Sequence, residues 1–176
     1  DVSVVDALGE APERMVPEGD IWRLGLSVQE IVDSVDDDTG AIGISSMWSY
    51  SWPIVRELIQ ALKAAYPTLP IVCGGEHFTA VAKHSMDEAP IDYIVLGEGE
   101  DTAVALFRAL ADGTDTSEIS GIRYRLADGE VTENKRRDRI KDIDQIPWPA
   151  WEMFKVQAYD ENNFVTGIHY GRTVPI

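Results

Sequence analysis

Three times in this chain a short apolar run stops at small residues and restarts as a helix. Ala41-Ile42-Gly43-Ile44 gives way to Ser45-Ser46-Met47. Ile71-Val72-Cys73 gives way to Gly74-Gly75 and then Glu76-His77-Phe78-Thr79. Tyr93-Ile94-Val95-Leu96 gives way to Gly97-Glu98-Gly99-Glu100 and a helical run from Asp101. Repeated strand–loop–helix units are joined by right-handed crossovers, which make the sheet parallel and bring the three loops to one carboxyl edge. Glycine at such an edge lets the backbone approach a ligand closely or take a positive φ. The pattern predicts an open α/β domain with a ligand rim.

Composition excludes several alternatives. The 176 residues suffice for one ordinary domain and an appendage. A net charge of −16 argues against a nucleic-acid partner. The short basic cluster Lys135-Arg136-Arg137, with Arg139 and Lys141, reads as a solvated edge or a contact to another domain. One cysteine, Cys73, rules out a disulfide scaffold and a self-contained zinc cluster, and its place in a strand makes it a buried, inert thiol. No stretch approaches the roughly 18 to 20 apolar residues of a membrane span. Nothing at the start resembles a signal peptide, so the cytoplasm is the default location.

In chain order, residues 2–7 read as a buried parallel strand and residues 8–25 as a long polar loop holding Pro12 and Pro17. Ser27 and Glu30 form a capping-box pair for a helix with Val28, Ile31, Val32 and Val35 on one face. Asp36-Asp37-Asp38 lacks the alternation of a calcium loop. Residues 41–46 are the next strand, and Trp52-Pro53 opens a helix to about Tyr66 whose Ile54, Leu58, Ile59 and Leu62 cover the sheet. A short helix is expected over 79–84, with Ala80, Val81 and Ala82 inward, then a strand over 91–96. Another helix follows over 102–111, with Ala103, Leu106, Phe107 and Leu110 inside and Gly113 at its end. Residues 121–125 and 130–132 flank Ala127-Asp128-Gly129 as a β-hairpin. Residues 143–151 form a proline-stiffened linker, and strands are expected at 164–166 or around 169–174. The expectation is an open parallel Rossmann-like, flavodoxin-like α/β sheet over 1–115, a β-hairpin appendage over 116–141 and a linker over 142–176. Both ends read as cuts in a longer protein.

At these loops the chain resembles the cobalamin-binding domain at the N-terminus of cobalamin-dependent radical S-adenosylmethionine enzymes. Ile44-Ser45-Ser46 matches that family's VGIS strand end, and Gly74 through Thr79 matches GGPH-x-T. Asp92 through Glu100 matches D-x-V-x-x-GEGE. Gly121-Ile122 matches I-x-G-I, and residues 143–149 match L-D-x-L-P-x-P. Each piece alone is weak; in this order and spacing they are specific, and they cover nearly the whole chain. The resemblance implies cobalamin as cofactor, held by Ser45, Ser46, Met47, Trp48, Gly74, Gly75, Glu76, His77, Gly97, Glu98, Gly99 and Glu100, with no catalytic or metal-ligating residue on this chain. It implies a partner radical domain of the same parent protein, which would carry the iron–sulfur cluster and S-adenosylmethionine. The C-x3-C-x2-C motif of that domain is not in this sequence. The family's first strand and helix are also missing, since residues 2–7 align best with its second strand. The cobalt-ligating D-x-H-x-x-G loop of the methionine synthase type has no counterpart, which implies an open or differently filled lower face of cobalt.

Each of these residues also has a plainer reading. Gly74 and Gly75 make a tight turn whether or not a ligand is present, and Ser45 and Ser46 could cap a helix. Met47 could be core. Trp48 and Tyr50 could flank a nucleotide tail. His77 follows the wrong strand for the cobalt-ligand loop, so a hydrogen bond or a structural contact is the better reading. Glu98 and Glu100, near a helix N-terminus, are better read as partners of N–H groups than as acid–base pairs. The leading function is the cobalamin-binding module of a radical enzyme that transfers methyl groups or closes rings. The alternatives are a stand-alone corrinoid carrier, a phosphoacceptor module of the response-regulator kind and a degenerate structural domain.

Overall fold

The computed structural model describes residues 1–162, so the strands expected beyond 163, with His169 and Tyr170, lie outside the described residues. The described chain divides into two compact units: residues 1–35 with residues 147–162, and residues 36–146.

The first unit departs from the sequence reading at its start. Residues 2–5 form no strand. A strand exists through its ladder with a neighbour, and no described segment pairs with these residues. Asp6 instead starts a helical turn, α1 (Ala7–Glu10), by accepting the Gly9 N–H at 3.0 Å, while its own N–H donates to Glu10 Oε1 at 3.1 Å. The expected loop over 8–25 also holds a hairpin, β1 (Met15–Glu18) and β2 (Ile21–Leu24), paired antiparallel with Met15 opposite Leu24 and Pro17 opposite Trp22. The Gly19-Asp20 turn was the available signal. Pro17 obscured it, yet both strands of a two-stranded ribbon are edges, where proline is tolerated. The α2 helix (Val28–Asp33) starts as expected. Ser27 Oγ accepts the Glu30 N–H, and Glu30 accepts the Ser27 N–H at 2.9 Å and an ion pair from Arg14.

The second unit is built on β3 (Ile42–Ser45), α3 (Trp52–Ala65), β4 (Ile71–Gly74), α4 (Glu76–Glu88), β5 (Tyr93–Val95), α5 (Glu100–Asp112), β6 (Ile122–Arg125) and β7 (Val131–Glu133). These strands form one open sheet in the order β3-β4-β5-β6-β7. The first three are parallel, as the crossovers required, and β5-β6 and β6-β7 are antiparallel. The sheet is therefore mixed, because the Asp128-Gly129 hairpin joins its edge: Leu96 N–H donates to Gly121 O at 2.8 Å and Val95 sits opposite Ile122.

Strand alternation divides the core between the two faces. On one face Val72, Val95 and Ile122 bury Leu106 of α5, with Ala103, Phe107 and Leu110 packed beside it. On the other lie Ile71, Cys73 and Ile94, all fully buried. The β3–α3–β4 and β4–α4–β5 crossovers move the same way along the sheet, so α3 and α4 share this second face. They cover it with Ile59, Leu62, Phe78 and Met86. The α4 helix is longer than the sequence pattern suggested and breaks at Val81 (φ −130°, ψ 35°). Its inward residues are His77, Phe78, Ala82, Ser85 and Met86; Ala80 and Val81 are exposed. The helix starts at the glycines, three residues before the expected point, and that start sets its inward frame. Gly113 ends α5 in the left-handed conformation, as expected.

The chain then returns to the first unit, where α6 (Val156–Glu161) is held by Asp6. The buried Asp6 carboxylate accepts Lys155 N–H at 3.2 Å and Tyr159 O–H at 2.5 Å besides capping α1. Burial and this carboxylate both push the Tyr159 phenol above its usual range. Among the described residues no helix is long and apolar enough to cross a membrane.

The capping box makes a measurable prediction. Ser27→Ala should destabilise α2 by about 1 kcal/mol and Ser27→Asp by much less, read from amide exchange over residues 28–33. The hydrogen bonds from Ser27, with Arg14 beside them, hold the Glu30 carboxyl at about 2 instead of 4.5. A depressed folded value means that the stabilisation is complete above pH 4.5 and lost as pH falls towards 2. Glu30→Gln should remove that part of the acid dependence.

Candidate functional site

The three strand ends converge as the crossovers demanded. Ser45, Gly74 and Gly75, and Gly97, Gly99 and Glu100 line one open cleft of about 460 Å³. Its floor follows from register. Gly43 lies opposite Val72 and Ser45 opposite Gly74, so Gly43, Ser45 and Gly74 point to the same face of the sheet. That face carries almost no side-chain bulk between β3 and α5. The walls are Val95 on β5 and Ala103 and Phe107 on α5.

The turn after β4 sets the rim. Gly75 has φ +98°, and a Cβ there would lie 2.6 Å from the Ser46 carbonyl oxygen. Only glycine satisfies both constraints. With the turn this close, Ser46 N–H donates to Gly74 O at 3.0 Å and His77 N–H donates to Ser46 O at 3.2 Å. On the other side, Gly97 N–H donates to Thr79 Oγ1 at 3.0 Å. The first turn of α4 thus ties the loops after β3 and β5 to the end of β4.

The twelve candidate residues fall into two groups. Ser45, Gly74, Gly75, Gly97, Gly99 and Glu100 line the cleft; Ser46, Met47, Trp48, Glu76, His77 and Glu98 do not. Ser46 is buried, and its hydroxyl has no hydrogen-bond partner among the described residues. Met47 and Trp48 are exposed, and Trp48 stacks on Tyr50 with ring centroids 6.2 Å apart. Glu76 is exposed in the first turn of α4. Glu98 accepts Ile140 N–H at 2.7 Å, an N–H partner of the kind expected for it.

His77 is only 3% exposed, on the face away from the cleft floor. Its ring stacks on Trp52 at 5.0 Å and meets Phe78 edge-on. Nδ1 lies 3.0 Å from Ser49 Oγ and Nε2 3.4 Å from Ser85 Oγ. Burial, with a smaller contribution from His84, holds its pKa below the usual imidazole range. Cys73 is buried, and burial pushes its thiol up, as an inert cysteine requires. Among the described residues no group of three His, Cys, Asp or Glu is placed to hold a metal ion.

Sequence reasoning missed Gly43, Val95, Ala103 and Phe107 as parts of the cleft. Gly43 had a signal, a glycine inside a strand, which often marks close approach of a ligand or another backbone. The other three carried only the periodicity of core residues.

Gly75→Ala should cost about 1–3 kcal/mol, since it combines a forbidden φ with a clash against Ser46 O, and the loss should show in the urea midpoint. The depressed His77 value means that its stabilisation is present above about pH 6.5 and lost as pH falls through the lower folded value. The urea midpoint should fall as pH drops below about 6.5, and His77→Phe should flatten that slope.

Comparison with known proteins places this geometry. The family model described as the B12 binding domain matches residues 18–107. A cytidylyl-2-hydroxyethylphosphonate methyltransferase of Streptomyces wedmorensis is 26% identical over 92% of this chain and 35% of its own length. An anaerobic magnesium-protoporphyrin IX monomethyl ester cyclase of Synechocystis is 32% identical over 70% of this chain and 25% of its own length. The chain thus spans about a third or less of these relatives. Among solved structures, the cobalamin-dependent S-adenosylmethionine radical enzyme OxsB, with aqua-cobalamin and S-adenosylmethionine bound, superposes with a TM-score of 0.62. It is 19% identical and covers 77% of this chain and 18% of its own. That likeness is one of fold, and it agrees with the open mixed sheet and its flanking helices. With more than half of its residues matched by the family model, and the strand-end cleft in place, this chain belongs to the B12 binding domain family.

Proposed function

We propose that this chain is the cobalamin-binding module of a radical S-adenosylmethionine enzyme. The observation that carries the reading is the cleft floor. Gly43, Ser45 and Gly74 leave the sheet with little side-chain bulk where three strand ends meet, and a large side chain at any of them would fill the groove. A corrinoid with its nucleotide tail needs a long, mostly apolar slot with a few polar contacts. The Ser45 hydroxyl and the Gly97 and Gly99 backbone are those contacts at the rim, and Phe107 and Val95 are the apolar wall.

When bound, cobalamin supplies an organometallic cobalt centre that can carry a methyl group, chemistry that no side chain can perform. This chain contributes binding, orientation and exclusion of water. No histidine lines the cleft, and both ring nitrogens of His77 face serine hydroxyls, so the module offers cobalt no histidine ligand from the described residues. The relatives extend well beyond the matched region. The same layout here would supply a radical domain with the iron–sulfur cluster and S-adenosylmethionine, in a cytoplasmic enzyme that transfers methyl groups or closes rings. A stand-alone corrinoid carrier fits the same cleft but not the length of the relatives.

The test is retention of hydroxocobalamin through gel filtration, followed by its visible spectrum. A stoichiometric corrinoid spectrum of the type lacking histidine ligation is expected. Ser45→Ile, whose β-branched side chain suits a strand, should keep the circular dichroism and weaken binding about tenfold or more. Retention of no corrinoid by the wild type, or equal retention by Ser45→Ile, would remove the assignment.

A further inference from the structure

The cleft and the buried histidine lie on opposite sides of the sheet, yet one loop links them. Residues 46–51 leave β3 directly after Ser45, which lines the cleft, and reach α3. This loop presents Met47, Trp48 and Tyr50 to solvent, with Trp48 and Tyr50 stacked at an interplanar angle of 15°. Large aromatics held exposed and parallel, on the loop that borders a cleft, offer a flat apolar surface.

Two contacts fix the loop to α4. The first is the backbone bond from His77 N–H to Ser46 O. The second is the pair formed by His77 Nδ1 and Ser49 Oγ. The hydrogen-bond geometry assigns the tautomer. Ser85 Oγ donates to Val81 O at 3.2 Å, so its lone pair is what it offers to His77 Nε2. Nε2 therefore carries the proton, and Nδ1 is left to accept from the Ser49 hydroxyl. The ring is clamped by Trp52, whose indole N–H donates to Glu88 at 2.9 Å. A ring this enclosed holds its acceptor in one place.

We propose that His77 is a positioning residue: through Ser49 it sets the loop of residues 46–51, and with it the Trp48–Tyr50 pair, as the lip of the corrinoid cleft. The inference rests on the corrinoid reading of that cleft. It gives His77 a role in cofactor binding without contact to the cofactor.

The experiment uses the whole chain with Ser49→Ala, Ser49→Thr and His77→Phe. Ser49 is exposed, so its substitution should lower the urea midpoint by no more than the loss of that one hydrogen bond. Amide hydrogen exchange is first measured over residues 47–51 without cofactor. Ser49→Ala and His77→Phe should speed it about three- to tenfold, the factor one net hydrogen bond supports, and Ser49→Thr should restore it. Hydroxocobalamin binding is then titrated by absorbance, and Ser49→Ala should weaken it by about the same factor, with rescue by Ser49→Thr. Unchanged exchange in both Ser49→Ala and His77→Phe would overturn the positioning role. Faster exchange with unchanged hydroxocobalamin affinity would overturn the loop as the lip. A wild type that binds no hydroxocobalamin while the exchange pattern holds would overturn the corrinoid part and leave the His77–Ser49 contact standing.

Discussion

The second unit depends on how closely the first turn of α4 approaches the loop after β3. Gly75 makes that approach possible, because any Cβ would press into the Ser46 carbonyl. Once the turn is there, its exposed groups find partners on both sides: the His77 N–H on Ser46 O, and Thr79 Oγ1 under the Gly97 N–H. A helix N-terminus normally leaves such N–H groups to water or to a cap. Here one of them ties a neighbouring loop, and a side chain of the same turn holds the next, so three loops become one rim. The rim's rigidity and the cleft's shape therefore have the same origin.

The two faces of the sheet divide the work. One is a packed core, where Phe78, Ile59, Leu62 and Met86 seal Ile71, Cys73 and Ile94 from water. The other is packed where Val72, Val95 and Ile122 bury Leu106. At the ends of β3 and β4 it is left open by Gly43, Ser45 and Gly74. Filling those positions would bury more apolar surface, at roughly 25 cal/mol per Å². The chain forgoes that stabilisation at the strand-end cleft, a pattern common at functional sites. The hairpin β6-β7 supports this arrangement from the far edge, since its pairing with β5 closes that side of the sheet with hydrogen bonds.

Much of this was legible because it is local. The helical spacing of Ile59 and Leu62, the Ser27–Glu30 capping box, the Asp128-Gly129 turn and the left-handed Gly113 all express short-range geometry, and all appear in the structure. The failures have separate causes. Residues 2–5 have the composition of a strand, but composition supplies no neighbouring ladder. Pro17 hid a hairpin whose turn residues were in view. For α4, an alanine-rich run suggested the inward face, when the glycines upstream had already set its phase.

The sequence by itself determined the units, their glycine-terminated strand ends and, through right-handed crossovers, that these ends share one edge. Its motif order was also enough to point to the B12 binding domain family. Only the tertiary structure decided that the sheet is mixed, that Gly43 lies beside Ser45 and Gly74 on one floor, and that His77 turns into the core while Glu100 turns to the cleft. The physical reason is that periodicity is a property of one segment, whereas register and facing are set by hydrogen bonds and packing between segments far apart in the chain.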